Sequence, residues 1–212
     1  CASAGHGRNP RRRAGMTYRL GLTGSIAMGK STTAALFAAE GVPVWDADAT
    51  VHRLYAAGGA AIPALSALFP DVIDLGAVSR PALRARLAAD PAALDRLQAV
   101  IHPLVAADRA RFVAAASAPI ILLDIPLLFE TGAERDCDGV VVVTAAPQVQ
   151  RDRLLSRGQM TAAEVAMLLA RQMPDADKQA RATWIIDTTT LDAARAAVRM
   201  ILATIRKGQP DA

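Results

Sequence analysis

Residues 24–31 read Gly24-Ser25-Ile26-Ala27-Met28-Gly29-Lys30-Ser31, followed by Thr32. They satisfy the pattern G-x-x-x-x-G-K-[ST], which meets a definite physical demand. Backbone N–H groups must wrap the phosphates of a nucleotide, so glycines stand where a Cβ would obstruct the turn or the approach. Lys30 supplies a point charge to the phosphates, and the Ser31 hydroxyl is a ligand for Mg²⁺. A helix opening at this point adds its dipole and its free N–H groups to the same anion. The chain has only three lysines, Lys30, Lys178 and Lys207, so a lysine at this position is informative.

Three acids extend the reading. Ile120-Ile121-Leu122-Leu123-Asp124 is an aliphatic strand ending in an acid, which beside a phosphate loop holds Mg²⁺ through water. On its own the pattern also fits a solvated strand-end carboxylate. Asp46 and Asp48 follow a second strand candidate, at the sheet edge where open α/β folds place ligands. Phosphoryl transfer needs a carboxylate that accepts the nucleophile's proton, and two acids spaced i, i+2 can divide that work. Helix capping is the structural alternative for this pair. Arg151, Arg153, Arg157, Arg171 and Arg181 are spaced to share helical faces and to close over the phosphates, or else to form a solvated surface. His52 and His102 have no partner at metal or triad spacing, which reads as structural.

Such groups need a frame, and the chain supplies strand-length apolar runs alternating with helical patterns. Strands are expected at 19–22, 42–45, 119–123, 140–143 and 184–186, with helices at 31–40, closed by Gly41, and at 191–205. The continuous runs PIILL and VVVV suit strands buried on both faces, as in a parallel sheet covered by helices. Some seventy residues between the second and third strands read as wholly helical, divided by Pro63, Pro81, Pro91 and Pro103. Residues 150–181 also read as helical, with a capping box at Thr161-x-x-Glu164. The expected fold is a three-layer α/β sheet of P-loop NTPase type with helical insertions. Within a single domain at 16–212, the core spans about 17–48, 118–147 and 183–206, and the insertions about 49–117 and 148–182.

The chain has 212 residues and a formal charge of +4. Arg8, Arg11, Arg12 and Arg13 account for all of that excess, because residues 16–212 carry 20 basic and 20 acidic side chains. Residues 1–15 are therefore expected to be a disordered basic tail or start-site extension, with Met16 as the natural start. A neutral remainder gives little support to a nucleic-acid binder. No apolar run approaches the length of a membrane span. With two cysteines, Cys1 and Cys137, there is neither a disulfide framework nor metal-ligand spacing, and a cytoplasmic protein is the default. None of the three lysines follows an Asn, which argues against a guanine-nucleotide switch.

The residues alone lead to a metal-dependent phosphotransferase. In addition, residues 18–205 resemble the dephospho-CoA kinase family. The resemblance is carried by LGLTGSIAMGKST (20–32), WDAD (45–48), Gly76-x-Val78-Ser79-Arg80-x-x-Leu83, Ile101-His102-Pro103-Leu104 and DIPLLFE (124–130). Further along it continues in Gln150-x-x-Arg153-Leu154-x-x-Arg157, Arg171-Gln172-Met173-Pro174 and Lys178-x-x-Arg181-Ala182. It implies transfer of the ATP γ-phosphate to the ribose 3′-hydroxyl of dephospho-CoA, with Mg²⁺, and makes the insertion at 49–117 a helical acceptor-binding (CoA-binding) region and that at 148–182 a helical lid. By motif position Asp48 is the general base, acting with Lys30 and Arg153, and Asp46 lies beside it. Arg80, His102, Pro126, Leu127, Leu128 and Glu130 line the acceptor side. Arg153 and Arg157 belong to the lid over ATP, and Ser31 and Asp124 face the metal. The chain departs from the family's usual G-G-I-G-S-G-K-S at Ser25, Ala27 and Met28, and from Asp-Asn at Asp187-Thr188-Thr189. The alternative is another small-molecule P-loop kinase with a nucleotide, nucleoside or sugar-acid acceptor. A monomer or weak homo-oligomer is expected.

Overall fold

The computed structural model describes residues 17–156 and 173–208. The tail, Met16, Arg157, the Thr161-x-x-Glu164 pattern and Arg171 lie outside the described residues. The elements of the first half are β1 (Tyr18–Gly24), α1 (Lys30–Ala39), β2 (Val44–Asp46), α2 (Ala47–Tyr55), α3 (Ile62–Leu68), β3 (Ile73–Asp74), β4 (Ala77–Val78), α4 (Arg80–Ala89) and α5 (Ala93–Ala115). They continue with β5 (Ile120–Asp124), β6 (Gly139–Thr144), α6 (Pro147–Ser156), α7 (Asp175–Ala180), β7 (Trp184–Asp187) and α8 (Leu191–Lys207). Residues 46–116 form one compact unit and the remainder forms another.

The larger unit is built on a five-stranded sheet in the order β2-β5-β1-β6-β7. β1 runs parallel to both β5 and β6, and β6 is parallel to β7. Every residue of β5 is buried, as its unbroken aliphatic run requires. On one face Leu20, Leu22, Leu122, Val141 and Val143 pack with Phe37 of α1 and Val198, Ile201 and Leu202 of α8. The buried positions of α8 recur at helical spacing, and Thr190 caps the helix by accepting from the Ala193 N–H at 3.2 Å. The opposite face is closed by the chain after β5. A Cβ on Gly21 would lie 2.9 Å from Cys137 Sγ and 3.3 Å from Leu128 Cδ2. This register sets Asp124 opposite Leu22 and Gly24 opposite Val143, so the loop after β1 leaves from the centre of the sheet.

The smaller unit has its own core of Leu54, Leu65, Phe69, Val72, Val78, Leu83, Leu97 and Ile101. Thr50, fully buried, donates to Asp108 Oδ1 at 3.1 Å, and Arg53 reaches the same oxygen at 3.0 Å, tying α2 to α5. This unit differs from the helical expectation in two places. β3 and β4 pair as a two-stranded antiparallel hairpin, turned at Leu75 (φ 47°) and Gly76 (φ 77°), the paired left-handed conformation that a tight hairpin demands. Pro63 and Pro81 do open α3 and α4, but Pro103 lies inside α5, which continues to Ala115. Packing of Leu97, Ile101, Leu104 and Val105 onto the unit's core carries the helix past the missing N–H.

Candidate active site

The phosphate loop is shaped by its glycines. Gly24 ends β1 so close to β6 that a Cβ would lie 2.8 Å from the Val143 carbonyl oxygen. Gly29 (φ 85°) is the N-cap of α1, and a Cβ there would stand 2.9 Å from Thr188 Oγ1. Between them Ala27 also adopts a left-handed conformation (φ 60°), a strain of about 1 kcal/mol for a residue with a Cβ. Its methyl packs with Ile26 against Leu154 of α6. Ser25 accepts from the Met28 N–H at 3.2 Å through its carbonyl, which closes the turn. Lys30, Ser31 and Thr32 begin α1, where backbone N–H groups have no partner within the helix.

Three successive carbonyls of the loop are bonded from outside. Gln150 Nε2 donates to Ile26 O at 2.8 Å, Arg153 Nη1 to Ala27 O at 3.4 Å, and Thr188 Oγ1 to Met28 O at 2.8 Å. Arg153 is further engaged by Thr188, donating to its hydroxyl at 3.1 Å and its carbonyl at 2.6 Å. Thr188 is set by its neighbours, because the Thr189 hydroxyl and N–H both donate to Asp187 Oδ1, at 2.5 and 2.7 Å. These bonds hold the Asp187 carboxyl below the usual range. A cavity of about 270 Å³ opens beside the loop, lined by Gly29, Thr32, Arg153, Thr188, Thr190 and Leu191 among others.

Lys30 Nζ donates to Asp124 Oδ1 at 2.7 Å, and Asp124 is only 2% exposed. The pairing fixes the ammonium at the loop and balances a carboxylate that burial alone would penalise. After β5, Thr23 donates to the Pro126 carbonyl at 2.9 Å, Leu127 is exposed and Leu128 is buried. Glu130 accepts from the Met173 N–H at 3.2 Å and lies 2.9 Å from Nζ of Lys178, which is completely buried. Burial pushes the Glu130 carboxyl up, but Lys178 and two backbone N–H donors outweigh it and hold the group below its usual range. Arg181 reinforces the same junction by pairing with Glu134 at 2.5 Å and lying 4.4 Å over the Phe129 ring.

The smaller unit carries Asp46, Asp48, Arg80 and His102. Asp46 caps α2, its Oδ1 accepting from the Ala49 N–H at 3.0 Å. Asp48 is exposed in the first turn, one helical turn before His52. Arg80 Nη2 lies 3.2 Å from His52 Nδ1, joining α4 to α2. His102 is exposed on α5.

The larger unit thus gathers the loop, Lys30, Asp124 and Arg153, while Arg157 lies outside the described residues. In the sequence, Gln150 and Lys178 stood only as carriers of the resemblance, Thr188 only as a departure from it, and His52 as structural. The i, i+4 spacing of Asp48 and His52 was the available signal for the last, and the i, i+3, i+4 spacing of Gln150, Arg153 and Leu154 for a working face of α6.

Comparison with known proteins gives this arrangement its context. A family model described as dephospho-CoA kinase matches residues 18–192. The dephospho-CoA kinase of Cereibacter sphaeroides is 62% identical over 190 residues, covering 90% of this chain and 96% of that protein. The crystal structure of TT1252 from Thermus thermophilus superposes with a TM-score of 0.79 at 34% identity, covering 89% of this chain and 98% of that one. A dephospho-CoA kinase structure from Campylobacter jejuni, at 20% identity and a TM-score of 0.62, shares the fold over 90% of this chain and 98% of its own. With a P-loop, its paired lysine and acid, and a family match across most of its length, the chain belongs to the dephospho-CoA kinase family.

Proposed function

We propose that this protein transfers the γ-phosphate of ATP to the ribose 3′-hydroxyl of dephospho-CoA, giving coenzyme A and ADP. The observation that carries the reading is the family match over residues 18–192, which spans both the phosphate loop and the Asp46–Asp48 segment. In the step, the bond between the γ-phosphorus and the bridging oxygen of ADP breaks as a bond to the 3′-oxygen forms. Asp48, exposed at the start of α2, takes the hydroxyl proton. Loop N–H groups and the start of α1 bind the phosphate oxygens. Lys30 has three ammonium donors, one of them directed to Asp124, which leaves two for phosphate. Arg153 and Arg157 neutralise charge on the nucleotide, and Arg80, His102 and the 126–130 segment bind the acceptor.

The donor set fits Mg²⁺. Ser31 Oγ would be a hard oxygen ligand and the Asp124 carboxylate would hold the ion through water, and this ion keeps waters and phosphate oxygens rather than an all-protein cage. When bound, the ion would withdraw charge from the phosphate oxygens. ATP as donor supports a cytoplasmic site of action, and we read the protein as a monomer or weak homo-oligomer with no nucleic-acid or membrane partner. No helix among the described residues is long and apolar enough to cross a membrane.

Incubation with ATP and Mg²⁺ in the presence of dephospho-CoA, AMP, CMP or gluconate tests the assignment by product analysis. Coenzyme A and ADP are expected from dephospho-CoA, with little turnover of the others. Phosphorylation of another acceptor while dephospho-CoA is left untouched would overturn it.

A further inference from the structure

The bonds to the outside of the phosphate loop form no part of the transfer step itself, yet they engage three successive carbonyls. An anion-binding loop works by turning its N–H groups inward, which turns carbonyls outward. Here the carbonyls of Ile26, Ala27 and Met28 are each taken by a side chain that is remote in sequence. Two of these side chains, Gln150 and Arg153, sit at i and i+3 on α6, and Leu154 at i+4 packs on the same loop residues. The third, Thr188, follows β7 and is buried. Its Oγ1 lies 2.8 Å from Met28 O and 3.1 Å from Thr144 O, so its single proton favours the loop. The loop held in this way contains a left-handed alanine, a conformation its own residues do not favour. The brace therefore supplies from outside the shape that glycine at position 27 would make easy.

We infer that Gln150 and Thr188 are positioning residues that preform the phosphate loop through its outward carbonyls, so that ATP meets a site already shaped for it. The inference rests on ATP being the ligand of this loop. A ligand that finds its site preformed does not spend binding energy on ordering it, so loss of the brace falls on ATP affinity. Dephospho-CoA affinity and the rate of the bound complex are affected much less.

Gln150 is the cleaner probe, since it is buried and absent from the cavity lining. Gln150→Met keeps its length and removes the donor. Thr188→Val removes only the hydroxyl, and Thr188→Ser restores it. Binding of a non-hydrolysable ATP analogue is measured by calorimetry, alongside KM for each substrate, kcat and the melting midpoint. Gln150→Met and Thr188→Val should each weaken analogue binding and raise KM for ATP about tenfold, the scale of leaving a buried carbonyl without its donor. KM for dephospho-CoA and kcat should change less than about threefold, and Thr188→Ser should return to near the parent values. Unchanged analogue binding in Gln150→Met, an equal rise in both KM values, or failure of Thr188→Ser to recover would each overturn the brace. If the parent protein itself binds no ATP analogue, the nucleotide reading fails instead.

Discussion

The two compact units solve different problems with different interiors. Among the described residues, Thr23, Ser25, Thr33, Asp124, Gln150, Lys178 and Thr188 are polar side chains buried in the sheet unit, whereas the helical unit buries only Thr50. The loop proposed to bind phosphate is held by bonds from distant parts of the chain. Asp48, His52, Arg80 and His102 stand instead on exposed helical positions. Buried polar networks lock a geometry and are costly to disturb, whereas exposed groups adapt at little cost to the fold. On the reading proposed above, the sheet unit is a preformed receptor for phosphate, and the helical unit offers a surface.

The contrast is sharpest in stability. Glu130→Gln should cost about 3 kcal/mol in urea unfolding at neutral pH, because it leaves the Lys178 charge buried without its partner. Adding Lys178→Met should recover most of that loss. Arg86→Ala, which removes an exposed partner of Asp71 in the helical unit, should leave the midpoint where it was. Glu130 titrates below its usual value in the folded protein. Its stabilisation is present above about pH 4.3, the ordinary glutamate value, and fades as pH falls through the lower folded value. The gap between parent and Glu130→Gln should therefore close in acid. A gap that persists or widens there would separate Glu130 from the stability of the sheet unit.

Catalysis should divide along the same line. Lys30→Ala and Asp48→Asn should each lower turnover a hundredfold or more. Only Lys30→Ala should also weaken ATP binding, since Asp48 belongs to the exposed set. A near-parental rate for Asp48→Asn would move the base to Asp46. The smallest effect concerns Leu75, left-handed and 95% exposed at the hairpin turn. Leu75→Asn should raise the midpoint of thermal unfolding slightly, by relief of about 1 kcal/mol of backbone strain.

What was legible in the sequence was local. The loop, its lysine and the first helix are contiguous, and Asp124 announces itself at the end of an aliphatic run. β5 and β6 were visible because burial on both faces leaves unbroken apolar stretches, whereas β2 and β7, only partly buried, showed as short apolar runs. Thr188 was hidden because it bonds a carbonyl 160 residues away, and its Asp-Thr-Thr context gives no chemical signal of its own. Lys178 sits in a six-residue helix of polar appearance, where nothing marks it as the residue pointing inward. β3 and β4, at two residues each, are too short for any periodicity to register. Pro103 misled because tertiary packing overrides propensity in a long helix.

The state of the three lysines has a practical consequence. Lys178 is sealed in the interior, and Lys30, with its side chain only 16% exposed, is held against Asp124. Lys207, exposed in the last turn of α8, is the remaining side-chain amine. Acylating reagents should therefore act on Lys207 ahead of the other two, offering a near-unique handle for a fluorophore or surface tether far in sequence from the phosphate loop.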